Sequence, residues 1–122
     1  MSEQRGEITI RSTGIGKNKI KAISSAEQNA IELLLFRGIP NSQQTTPLVS
    51  INEQQAKTQY KAYFEELLTR GRHKTFILSS VPVTDLVKQG QGMRNISVDV
   101  RINLTALRAD LEQHNVTRKF GF

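Results

Sequence analysis

The chain has 122 residues, no cysteine, and 17 Lys plus Arg against 11 Asp plus Glu, giving a formal charge of +6. That length supports one domain with a hydrophobic core rather than two independent ones. The absence of cysteine excludes a disulfide framework and a thiolate metal site. No apolar run reaches the roughly 18 residues of a membrane helix, and no apolar segment follows the polar start MSEQRGE, so neither a membrane span nor an intact secretion signal is expected. The basic excess favours an anionic surface, whether nucleic acid, lipid headgroups or an acidic protein, and is equally compatible with ordinary solubility.

Residues 6–14 alternate Ile8 and Ile10 against Thr9 and Arg11, the period of a half-buried strand, and Gly14 and Gly16 are expected to let the chain change direction. A helix is predicted over 19–36, with Ala22 or Ile23, Ala26, Ala30, Leu33 and Leu34 on one stripe. Its small alanines permit close approach to a sheet. Asn18 can cap it, or Ser24 with Glu27 can form a capping box for a shorter helix. Gly38 and Pro40 end it.

Residues 40–52 form a polar loop with Leu48, Val49 and Ile51 as anchors. A second amphipathic helix is predicted over 53–68, with Ala56, Tyr60, Tyr63 or Phe64, and Leu67 or Leu68 on its apolar face and Gly71 as terminator. A strand is expected at 73–82, placing Phe76, Leu78 and Ser80 on one face, and 82–93 is expected to be a flexible connection, too long for a two-residue turn. The strongest strand signal is 94–104, where Ile96, Val98, Val100, Ile102 and Leu104 alternate with Ser97, Asp99, Arg101 and Asn103. Thr105 is the expected N-cap of a short helix over 106–115, carrying Leu107 and Leu111. Phe120 and Phe122 either close the core or stay exposed for a partner.

No reactive constellation emerges. The segment TGIGKN follows a strand and precedes a helix, but one residue rather than four separates its first glycine from the Gly-Lys pair, and Asn18 replaces the magnesium-binding hydroxyl of a phosphate loop. Lys17, Lys19 and Lys21 can attract an anion there, or simply be solvated. His73 and His114 are far apart and lack matched carboxylates, so no metal site is expected. Asp99 stands beside Arg101 on the wet face of a strand, where salt pairing explains it. Ser79 and Ser80 lack a nucleophile elbow. Sequons at Asn95, Asn103 and Asn115 fall mostly on or beside a predicted strand, and glycosylation is not expected. A basic patch for nucleic acid can be drawn from Arg70, Arg72, His73, Lys74, Arg94, Arg101 and Arg108, with Tyr60 or Tyr63 stacking on bases if exposed.

The order of elements, carried by ITIRSTGIGKN with AISSAEQNAIELLLFRGIP and by SVDVRINLTALRADLE, resembles the amino-terminal domain of the flagellar assembly protein T and small outer-membrane lipoproteins of bacteria. The resemblance implies a non-enzymatic domain that assembles with other envelope proteins, in the periplasm or at the outer-membrane periphery. A cytoplasmic nucleic-acid-binding module is the alternative.

The expected architecture is therefore one α+β domain over 1–122. It is a two-layer sandwich with a small, mainly antiparallel sheet, two helices on one face and a short C-terminal helix. No catalytic, cofactor or metal site is expected. Lys17, Lys19, Lys21, Arg70, Arg72, Lys74, Arg94 and Arg101 are candidates for an anion or nucleic acid, and Phe120 and Phe122 for a protein partner.

Overall fold

The computed structural model describes residues 3–4, 6–40, 42, 44–49 and 51–116. It is a small α+β domain: an antiparallel sheet flanked by helices, one of them near the C-terminus. The order is β1 (Glu3–Gln4), β2 (Glu7–Gly16), α1 (Lys19–Phe36), α2 (Glu53–Gln59), α3 (Lys61–Phe64), a π-helical turn (Glu65–Thr69), a 3-10 turn (Arg72–Phe76), β3 (Ile77–Pro82), β4 (Val87–Gly90), β5 (Met93–Asn103) and α4 (Leu104–Gln113). Phe120 and Phe122 lie outside the described residues.

The long strand β5 is the centre of the sheet. From Arg94 to Asn103 it pairs with β2, Glu7 standing opposite Asn103 and Gly16 opposite Arg94. Its other edge takes β3 and then β4, both antiparallel. Ile96, Val98, Val100 and Ile102 alternate onto one face with Ile8 and Ile10, all of them buried against α1. Full burial of such a side chain contributes about 2 kcal/mol, so this shared face and the apolar side of α1 form the stabilising centre.

Asn18 is the cap of α1, its Oδ1 accepting from the Lys21 amide at 3.0 Å. Gly14 and Gly16 do not make a turn: they are the last inward-facing residues of β2, directly under the first half of α1. A Cβ on Gly14 would fall on the Ala22 carbonyl and the Ala26 amide, and one on Gly16 on the Lys21–Ala22 backbone. Alanine stripe and glycine pair together let helix and sheet backbones touch. Beyond the short β1, the edge of β2 is covered by α1 side chains: Asn29 donates to the Thr13 carbonyl and Ser25 accepts from the Ile15 amide.

The loop after α1 is held from within. Gly38, at φ +79°, permits the left-handed exit. The Leu48 and Val49 amides then donate back to the Leu34 and Leu35 carbonyls, burying both side chains and satisfying the helix end. The second expected helix is interrupted at Tyr60 (φ −117°, ψ 43°), so that α2 and α3 form separate pieces, and it ends in the π-helical turn. It packs on α1 through Phe36 and Phe64, with ring centroids 5.5 Å apart, and through Lys57 bonded to Glu32.

Three local expectations are corrected. The strand expected over 73–82 starts only at Ile77, because Arg72–Phe76 form the 3-10 turn, so buried Phe76 shares no strand face with Leu78; a bulge between Ile77 and Ser79 then breaks the alternation and leaves Leu78 exposed. The segment 82–93 contains β4, closed onto β5 by a two-residue turn at Gln91 and Gly92 with φ of 55° and 77°, the positive pair that a type I′ hairpin turn requires. All four residues of β4 are exposed, so no apolar alternation marks it as a strand. Finally, Asn103 rather than Thr105 caps α4, accepting from the Ala106 amide at 3.0 Å.

Candidate functional site

The eight cations singled out for an anionic partner divide into two groups of four. Arg70 is bonded to Glu66, Arg72 to Asp110, Lys74 to Glu27 and Arg101 to Glu7, each within the helical layer or on the open face of the sheet. These four are neutralised locally and do not converge into one patch. His73 is no surface group either, being 2% exposed in the 3-10 turn.

Lys17, Lys19, Lys21 and Arg94 behave differently. Gly16 stands opposite Arg94 on β5, and Arg94 stands opposite Lys88 on β4. Adjacent strands are about 5 Å apart, so Arg94 and Lys88 occupy one row across the end of the sheet. Lys17 follows Gly16 directly, and Lys21 packs its Cβ over Gly16. Lys17, Lys19, Lys21, Lys88 and Arg94 are all exposed, and none makes an ion pair with a described residue. Asp85 is the carboxylate nearest to β4 in sequence and is likewise exposed without an ion pair. Nothing in the sequence around Lys88 marks it for the site, since 82–93 has the pattern of a connection; only the register of β4 brings it beside Arg94.

The segment GIGKN forms no phosphate cradle. Its glycines are strand residues sealed beneath α1, and Asn18 already accepts from the Lys21 amide. What remains at this end is a surface of side-chain charge.

A second polar cluster ties the helices together. The Asp110 carboxylate accepts from the Tyr63 hydroxyl at 2.6 Å and from Arg72 at 2.5 and 3.2 Å, and the His114 ring approaches it at 3.8 Å. Burial, and then the bond to Asp110, push the Tyr63 phenol well above its usual range. Arg72 lies over the rings of Tyr63 and Phe76. Tyr63 is thus committed to packing, Tyr60 is packed against the core, and neither forms a stacking platform for bases.

Ser80 donates to Glu27 at 2.5 Å, and Lys74 stands 3.7 Å from the same carboxylate, joining β3 to α1. This is a satisfied hydroxyl between two elements. A groove of about 850 Å³ lies between α1 and the α2–α3 segment, but its charged lining is internally paired, Lys57 with Glu32 and Glu53 and Lys61 with Glu65. Among the described residues no three His, Cys, Asp or Glu side chains converge in a way that could hold a metal ion, and no helix is long and apolar enough to cross a membrane.

No protein-family model, curated protein or solved structure matches the chain.

Proposed function

We propose that the chain is a non-catalytic binding domain that docks on an anionic surface through the end formed by Lys17, Lys19, Lys21, Lys88 and Arg94. The observation that carries this reading is the segregation of charge. Most other described cations are paired with carboxylates, Arg37 at the far end of α1 being an exposed exception, whereas these five gather at one end without an acidic partner among the described residues. Like charges held close together repel one another, and a polyanion relieves that repulsion. An assembly role in the bacterial envelope, periplasmic or at the outer-membrane periphery, belongs to this reading as the setting implied by the resemblance.

Titration with heparin at two salt concentrations tests it. Binding should weaken steeply with salt, and a triple Lys17→Gln, Lys19→Gln, Lys21→Gln variant should lose most of it. Arg70→Gln with Arg101→Gln should change little. Equal losses from both sets, or no binding at low salt, would refute the assignment.

A second reading, contact with a protein partner, is favoured by the free edge of the sheet. Leu78 and Val81 on β3, Val83 just after it and Val87 on β4 are exposed, and a strand edge with no described neighbour offers backbone pairing to another chain. A photo-crosslinking residue at position 81 should give an adduct of defined mass in cells, while one at position 11 should not. Indistinguishable labelling at the two positions would count against it.

A further inference from the structure

The identity of the anionic surface follows from what stands among the cations. Ile20, in the first turn of α1, is 80% exposed, far more than any other large hydrophobic side chain described. Lys19 and Lys21 flank it in sequence. Residues seven apart share a side of a helix, so Ile20 faces the same way as Glu27, whose carboxylate reaches Ser80 of β3. That is the side toward β3 and β4, where Lys88 and Arg94 stand opposite each other. In the neighbouring row, on the open face, Ile15 (42% exposed) and Val87 (50% exposed) flank Asn95. The end of the domain therefore carries three exposed aliphatic side chains beside five cations that pair with no described carboxylate.

We propose, building on the anionic-surface reading above, that this end docks on a lipid bilayer containing anionic headgroups, with Ile20 entering the boundary between headgroups and acyl chains. The cations gain from the negative surface potential, and the aliphatic side chain leaves water; bilayer docking commonly needs two such signals because neither alone holds a protein. A nucleic acid would use the same charges but gain little from Ile20. Its readers place aromatic or guanidinium planes against bases, and both tyrosines here are packed among the helices.

Co-sedimentation of the intact chain with phosphatidylcholine vesicles, with and without phosphatidylserine, tests this beside heparin and single-stranded oligonucleotide titrations. Binding should require phosphatidylserine. Ile20→Ser should lower vesicle partitioning about tenfold while leaving heparin binding unchanged. The triple lysine variant should lower vesicle partitioning about 100-fold and weaken heparin binding with it. The chain contains no tryptophan, so Ile20→Trp supplies a single fluorophore whose emission should shift to the blue on phosphatidylserine vesicles. Heparin binding with vesicle partitioning indifferent to Ile20→Ser, or with no blue shift, would overturn the bilayer assignment and leave the anionic-surface reading standing. Tighter binding to the oligonucleotide than to vesicles would assign the surface to nucleic acid instead. No binding to any polyanion would remove both.

Discussion

Gly14 of β2 lies directly beneath Ala26 of α1, so close that a side chain at residue 14 would coincide with the helix backbone. Gly14→Ala should therefore force α1 away from the sheet and cost about 3 kcal/mol, the upper part of the range for overpacking a core. Chemical denaturation measures it. A loss of under about 1 kcal/mol would show that α1 slides at little cost, contrary to the close contact seen here.

Asp110 gathers Tyr63, Arg72 and His114 around one carboxylate. Tyr63→Phe removes one hydrogen bond while Arg72 still satisfies the acid, and should cost about 1 kcal/mol. Asp110→Ala strips the partly buried guanidinium and the phenol of their shared acceptor and should cost about 2 kcal/mol, after allowing for the solvent that reaches Arg72. Denaturant midpoints of the two variants should fall in that order. The reverse order would mean that the hydroxyl matters more than the charge.

His73 donates from Nδ1 to the Leu67 carbonyl at 3.1 Å, and its Nε2 is buried with no hydrogen-bond partner among the described residues. Burial lowers its pKa below the usual 6.5; the bond to Leu67 and the nearby Glu27 and Glu32 oppose that shift, and Lys74 adds to it. The unfolded chain thus takes up the proton first. Stability associated with neutral His73 is complete above about 6.5 and declines as pH falls toward the lower, folded-state pKa. His73→Leu should flatten that limb of the stability profile in urea titrations at stepped pH. An unchanged limb would place the acid sensitivity elsewhere.

On the open face of the sheet, Arg11 donates to Asp99 at 2.8 and 3.2 Å. This hydrogen bonding, chiefly, holds the Asp99 carboxyl below its usual range and raises the arginine. Arg11→Gln should move the Asp99 titration upward, as followed by side-chain carboxyl NMR, with little effect on the fold because the pair is exposed. A stationary titration would show that the bond does not persist in solution.

Periodicity alone determined the long strand with its apolar row from Ile96 to Ile102, the helix over 19–36 with its alanine stripe, and the α+β class, because one-sided burial imprints a repeat on the residues themselves. The bulge at Leu78 and the strand β4 left no such imprint: the first displaces the alternation by one residue, and the second is exposed throughout. Tertiary structure decided which of the candidate cations make up the site and added Lys88 to them. Which cations are neutralised depends on which carboxylates lie across strands and helices from them. Arg72 meets Asp110, 38 positions away, whereas Lys88 stands opposite another cation, Arg94. Charge acts through space, and distance along the chain does not record it.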